Sequence, residues 1–111
     1  MDVIEKEYTH IAAKLSSQFG EELDLKGILF LIGVQELGEG YRKFSKDEKV
    51  EVIHVAICRL LSQYNYYEFS GRDEEGWPHW KENSSLPKLK PKDQLKIIKQ
   101  SISDYFKENN Q

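Results

Sequence analysis

Residues 25–37, LKGILFLIGVQEL, decide the fold. Lys26, Gln35 and Glu36 apart, the segment is apolar or glycine, and its apolar positions run almost all round a helix instead of along one stripe. A helix of that kind is usually central and covered on several sides. It is far shorter than the roughly 20 apolar residues a membrane span needs. Asp24 stands where a cap residue accepts the first unpaired amides. Gly38 and Gly40 end the segment.

Outward from this core, residues 3–19 place Ile4, Tyr8, Ile11, Ala12, Leu15 and Phe19 at intervals of three and four. That spacing predicts an amphipathic helix, and Gly20 stops it. On the other side, Ser45-Lys46-Asp47-Glu48 fits a capping box. It opens a third helix over 46–64, whose main stripe reads as Val50, Ile53, Ile57, Leu60, Leu61 and Tyr64. Val52, Val55 and Ala56 add apolar surface on its other side. The short 38–45 connection predicts that helices two and three pack antiparallel. Pro91 suits the first position of a fourth helix, with Leu95, Ile98, Ile102, Tyr105 and Phe106 as its stripe and KENNQ as a frayed tail.

Residues 65–90 lack a helical period. Asp73-Glu74-Glu75-Gly76 is a turn signal, with Tyr66, Tyr67 and Phe69 before it and Trp77 and Trp80 after. The pattern predicts a short aromatic β-hairpin or an irregular loop, in which Pro78 stands at an edge or breaks the strand. Residues 83–90 read as a polar loop. The expected architecture is therefore mainly α: a four-helix up-and-down bundle, one domain over 1–111, with an aromatic insert at about 65–90 between helices three and four.

The 111 residues are 39% hydrophobic and 12% aromatic, enough for a core and unlike a disordered chain. A net charge of −3 argues against nucleic-acid binding as the main task. The charge is uneven, with nine basic against fifteen acidic residues up to 80, then six lysines against Glu82 and Asp93 from 81 to 99. The single cysteine, Cys58, excludes an internal disulfide. The start, MDVIEKEYTH, lacks the basic and apolar regions of a signal peptide. A cytoplasmic protein without membrane contact is the expectation.

Two chemical readings compete. Glu7-Tyr8-Thr9-His10 and Glu51-Val52-Ile53-His54 are Glu-x-x-His steps, the spacing that di-metal bundles use. Glu36 and Asp104 are the further carboxylates available, and Cys58 lies one turn from His54. Against a metal site, His10 points away from its helix's apolar stripe, and the ligand order of ferritin-like bundles is not reproduced. Glu7, Glu36, Glu51, His54 and Cys58 are retained as its candidate ligands, with a half-buried His54 and an inert core Cys58 as the plainer reading. The second reading is a partner-binding surface at 66–80. Tyr66, Tyr67, Arg72, Trp77, His79 and Trp80 cluster there, and Tyr, Trp and Arg dominate binding hot spots. The same rings suit a lid folded over the bundle. The leading expectation is a non-enzymatic interaction protein that needs no cofactor, contacts a protein partner through 66–80 and forms a homodimer through excess apolar surface on helix two.

The stretches LFLIGVQELG, KFSKDEKVEVIHVAICRLLS and YYEFSGRDEEGWPHW resemble those of short bacterial proteins with no assigned activity. The resemblance covers about 28–80 and implies no catalytic residues.

Overall fold

The computed structural model describes residues 2–40 and 42–109. Four helices and one hairpin follow in the order α1 (Val3–Phe19), α2 (Leu25–Leu37), α3 (Lys46–Ser62), β1 (Tyr67–Arg72), β2 (Pro78–Glu82) and α4 (Pro91–Asn109). The helix ends are where side chains capable of capping them stand. Asp2 and Asp24 accept amides three residues on, at 2.8 and 2.9 Å. Ser45 and Glu48 close the reciprocal box at 3.1 and 2.9 Å. Gly20 and Gly38 take left-handed geometry, φ 74° and 77°, which spares them the Cβ penalty. The expected fraying at 107–111 falls partly on Asn110 and Gln111, outside the described residues.

The tightest seam joins α2 to α3. A Cβ on Gly33 would lie 2.1 Å from the carbonyl oxygen of Val52. Only glycine admits so close an approach. It turns Val52, Val55, Ala56, Cys58 and Leu60 inward. This corrects the expected α3 stripe. Val50 is 66% exposed, and Ile53 and Ile57 are only partly buried. The stripe shifts because α3 follows the glycine contact.

The core has two parts. Ile28, Leu29, Ile32, Ala56, Leu60, Ile102 and Tyr105 form the larger. Val34, Leu37, Phe44 and Val52 form the second, with Phe30 and Trp77 packed against it. Phe44, in the connector before α3, meets Phe30 edge-on at 5.7 Å. Helix α1 buries no residue fully. It lies along α4, joined by Lys99–Glu5 at 2.7 Å and Lys107–Glu7 at 2.5 Å. The charge asymmetry read from the sequence is thus partly spent inside the chain.

A buried polar group links three helices. The Tyr105 hydroxyl donates to Glu36 at 2.7 Å and accepts from Gln35 at 3.1 Å, while Arg59 stands 3.4 Å from Glu36. Tyr64 donates to Asp104. Among the described residues no helix is long and apolar enough to cross a membrane.

The hairpin lies between α3 and α4 in sequence and packs on α3. Its strands are antiparallel, with Phe69 opposite Trp80, Glu68 opposite Lys81 and an irregularity at Ser70. The Phe69 and Trp80 rings meet edge-on at 5.3 Å, one of the expected aromatic pairs. Pro78 opens β2, where its missing N–H costs least, and is buried.

Candidate functional site

The hairpin tip is rigid because Asp73 organises it. Asp73 Oδ1 accepts the amides of Glu75 at 2.9 Å and Trp77 at 3.0 Å, an Asx turn. Its Oδ2 meets His79 Nε2 at 2.9 Å. Below the tip, Arg72 donates to the carbonyls of Glu36 at 2.9 Å, Leu37 at 3.4 Å and Gly76 at 2.8 Å. A guanidinium on the last carbonyls of α2 satisfies orphan acceptors and opposes the negative end of the helix dipole. The hairpin is thereby clamped to the end of α2 as well as to α3.

This clamping leaves a cleft of about 610 Å³ between the outer face of α3 and the hairpin tip. Val50, Val55, Trp77 and Pro78 supply apolar surface. Glu48, Glu51, Asp73 and Glu75 supply four carboxylates, and His54 and His79 two imidazoles; among the described residues no lysine or arginine lines it. Bonding to His79 and to the Trp77 amide holds the Asp73 carboxyl below its usual range. Bonding to the Ser45 amide and to Arg42 does the same for Glu48. The cleft therefore carries negative charge at neutral pH beside exposed apolar surface.

The six residues expected to bind a partner divide. His79 is exposed, with 61% of its side chain in solvent. Tyr66, Tyr67, Trp77 and Trp80 are half-buried. Trp77 spans both roles, packing on the second core cluster while lining the cleft. Trp80 Nε1 is buried with no acceptor among the described residues. Arg72 is exposed at its edge, yet its fork is committed to its own chain. Sequence reasoning missed Val50, Glu48 and Glu75 as cleft residues. Once Val52 and Val55 are set inward, helical spacing alone puts Val50 on the outer face.

The five metal candidates are not brought together. Glu7 pairs with Lys107, and Glu36 takes Tyr105 and Arg59. His54 is exposed where the sequence suggested half-burial, because the shifted seam rotates it outward; its Nε2 lies 3.4 Å from Cys58 Sγ. Glu51 lines the cleft. Among the described residues no three His, Cys, Asp or Glu side chains are grouped to hold a metal ion. Burial, with a smaller push from the charge of Glu82, raises the Cys58 thiol to about 11. It stays protonated at neutral pH, and a thiol is a poor nucleophile.

Compared with protein-family models, curated proteins and solved structures, the chain matches none.

Proposed function

We propose that this chain is a non-enzymatic, cytoplasmic protein-interaction module, whose four helices form an up-and-down bundle that presents the hairpin segment 66–80 to a protein partner. The observation that supports this reading is the cleft beside the hairpin. There a 66%-exposed Val50 and a half-buried Trp77 stand among four carboxylates. Exposed apolar surface rimmed by polar groups is the physical mark of a contact site. The rings that anchor the hairpin hold their neighbours still, which lowers the entropy lost on binding. The carboxylate rim favours a partner surface bearing lysine or arginine, and steers it more strongly at low salt.

Val50→Asp and Phe69→Ser remove exposed apolar surface without touching the fully buried core. Val50→Asp is expected to keep the wild-type melting temperature, Phe69→Ser to lower it slightly through the lost Trp80 contact, and both to lose the protein captured by the wild type in co-purification. Retention of that protein by both variants overturns the reading. The module is also proposed to self-associate, through a surface separate from the hairpin.

A further inference from the structure

Helix α1 is held to its own chain lightly and on one side. It buries no residue fully; Val3 at one end is 68% exposed and Phe19 at the other is 45% exposed. Along its flank a hollow of about 420 Å³ has Ile11, Leu15 and Phe106 as apolar lining, with Glu7 and Lys14 among its polar residues. Past Leu15 and Phe106 it runs into a second hollow, of about 490 Å³, that reaches Phe19 and Leu31. Leu31 is half-buried, and no large apolar residue of α2 is exposed among the described residues, so the surface excess expected of that helix is absent. The surface is therefore a groove with apolar lining in which Glu7 and Lys14 stand two turns apart on α1, with Lys107 of α4 paired to Glu7 at one side.

That charge arrangement selects the occupant. We infer that the groove along α1 is filled by α1 of a second copy of this chain, the two helices antiparallel about a two-fold axis between His10 and Ile11. In this pairing Glu7 faces Lys14 of the second copy, and Lys14 faces its Glu7. Val3, uncovered in the monomer, lies over Gln18 and Phe19 of the other helix. An isologous contact repeats each pair, so one acid and one base on a single helix make two ion pairs. A parallel pairing sets Glu7 against Glu7 and Lys14 against Lys14, which repels. Lys107 holds Glu7 Oε2 at 2.5 Å within the chain, and a carboxylate accepts from more than one cation. Each Glu7 then lies between its own Lys107 and the other copy's Lys14. This inference names the surface for the self-association proposed above, and it uses no hairpin residue.

Sedimentation of the full chain tests it by charge exchange. The wild type is expected to dimerise, more weakly at high salt. Glu7→Lys alone and Lys14→Glu alone each place like charges across the axis twice. Each is expected to raise the dimer dissociation constant by about tenfold or more. An equimolar mixture of the two variants restores both opposite-charge pairs and is expected to recover wild-type association. The single chain carrying both exchanges is expected to do likewise. Lys14 is exposed, so Lys14→Glu carries the test alone if Glu7→Lys loses its melting transition. A wild type that stays monomeric at its highest soluble concentration overturns the inference. So do single variants that dimerise like the wild type, or a mixture no better than its components. Loss of partner capture in Val50→Asp is read separately, so a monomeric wild type leaves the hairpin reading standing.

Discussion

Gly33→Ala sets two physical effects against each other, and the structure decides between them. Alanine in place of a mid-helix glycine adds roughly 1 kcal/mol of helix propensity. In this chain the new Cβ would stand 2.1 Å from Val52 O, 2.6 Å from Val52 Cγ1 and 2.9 Å from Val52 C. Ordinary non-bonded carbon contacts lie at about 3.5–4.0 Å, so α2 and α3 must separate by about 1 Å or more. The obstacle is backbone, which no rotamer change removes. Overpacking of this kind costs about 1–3 kcal/mol and occasionally more, and a clash with backbone belongs at the upper end. Val52 is fully buried, and Val34, next to the glycine, is buried with it in the second core cluster. The opening therefore loosens that cluster too. The expected net loss is about 2 kcal/mol, a melting temperature lower by roughly 8–16 °C for a domain near 100 residues. Urea unfolding with an unchanged m value confirms a loss of stability. Gly27→Ala is the control. Its Cβ would meet Asp24 Oδ1 at 3.3 Å and Leu23 Cδ2 at 3.4 Å, contacts that a few tenths of an ångström relieve. It is expected to be near neutral. A Gly33→Ala chain as stable as the wild type refutes the proposed seam.

Replacing Arg72 with Ala frees the two terminal carbonyls of α2 and is expected to cost about 1–2 kcal/mol, with the hairpin amides exchanging faster than those of α3 in hydrogen-exchange measurements. Cys58 is expected to resist thiol reagents at mildly alkaline pH and to react fully once the chain is unfolded in urea, since burial raises its thiol to about 11. Burial, then the bonds to Asp104 and Glu36, push the phenols of Tyr64 and Tyr105 well above the ordinary 10.0. Their contribution to stability is complete below pH 10 and falls as the pH climbs beyond it. Ultraviolet phenolate titration is expected to show both silent until the fold is lost. Asp73 shifts the opposite way, so its contribution is complete above 3.8 and is lost as pH falls below that. Loosening of the hairpin in acid, followed by tryptophan emission, is the expected sign.

The four helices were readable because their ends carry their own chemistry. Asp24, Ser45 with Glu48, Gly20 and Gly38 are local signals, and the structure uses each as its residue type predicts. The turn at Asp73 and the Phe69–Trp80 pair are local in the same sense. What failed to show was long-range. Two apolar stripes on α3 satisfied the same helical period, and the choice between them lay with Gly33 on another helix. Phe44 sits in a polar connector without periodicity, so nothing nearby marks it as core. Arg72 read as a partner contact because its acceptors, the carbonyls of Glu36 and Leu37, lie on a helix two elements earlier. The outward turn of His54 follows from the same seam, and with it the cleft beside the hairpin.

The claim on which the functional account rests is that the hairpin is a contact surface, and site-specific photo-crosslinking asks this most directly. A photo-reactive phenylalanine analogue at position 69, which is 51% exposed in the wild type, is compared with the same group at the exposed Lys88 in the cells that produce the protein. The account predicts one discrete adduct with another protein from position 69 and none from position 88. Indistinguishable adducts from both positions, or no adduct from position 69 in correctly folded protein, contradicts it.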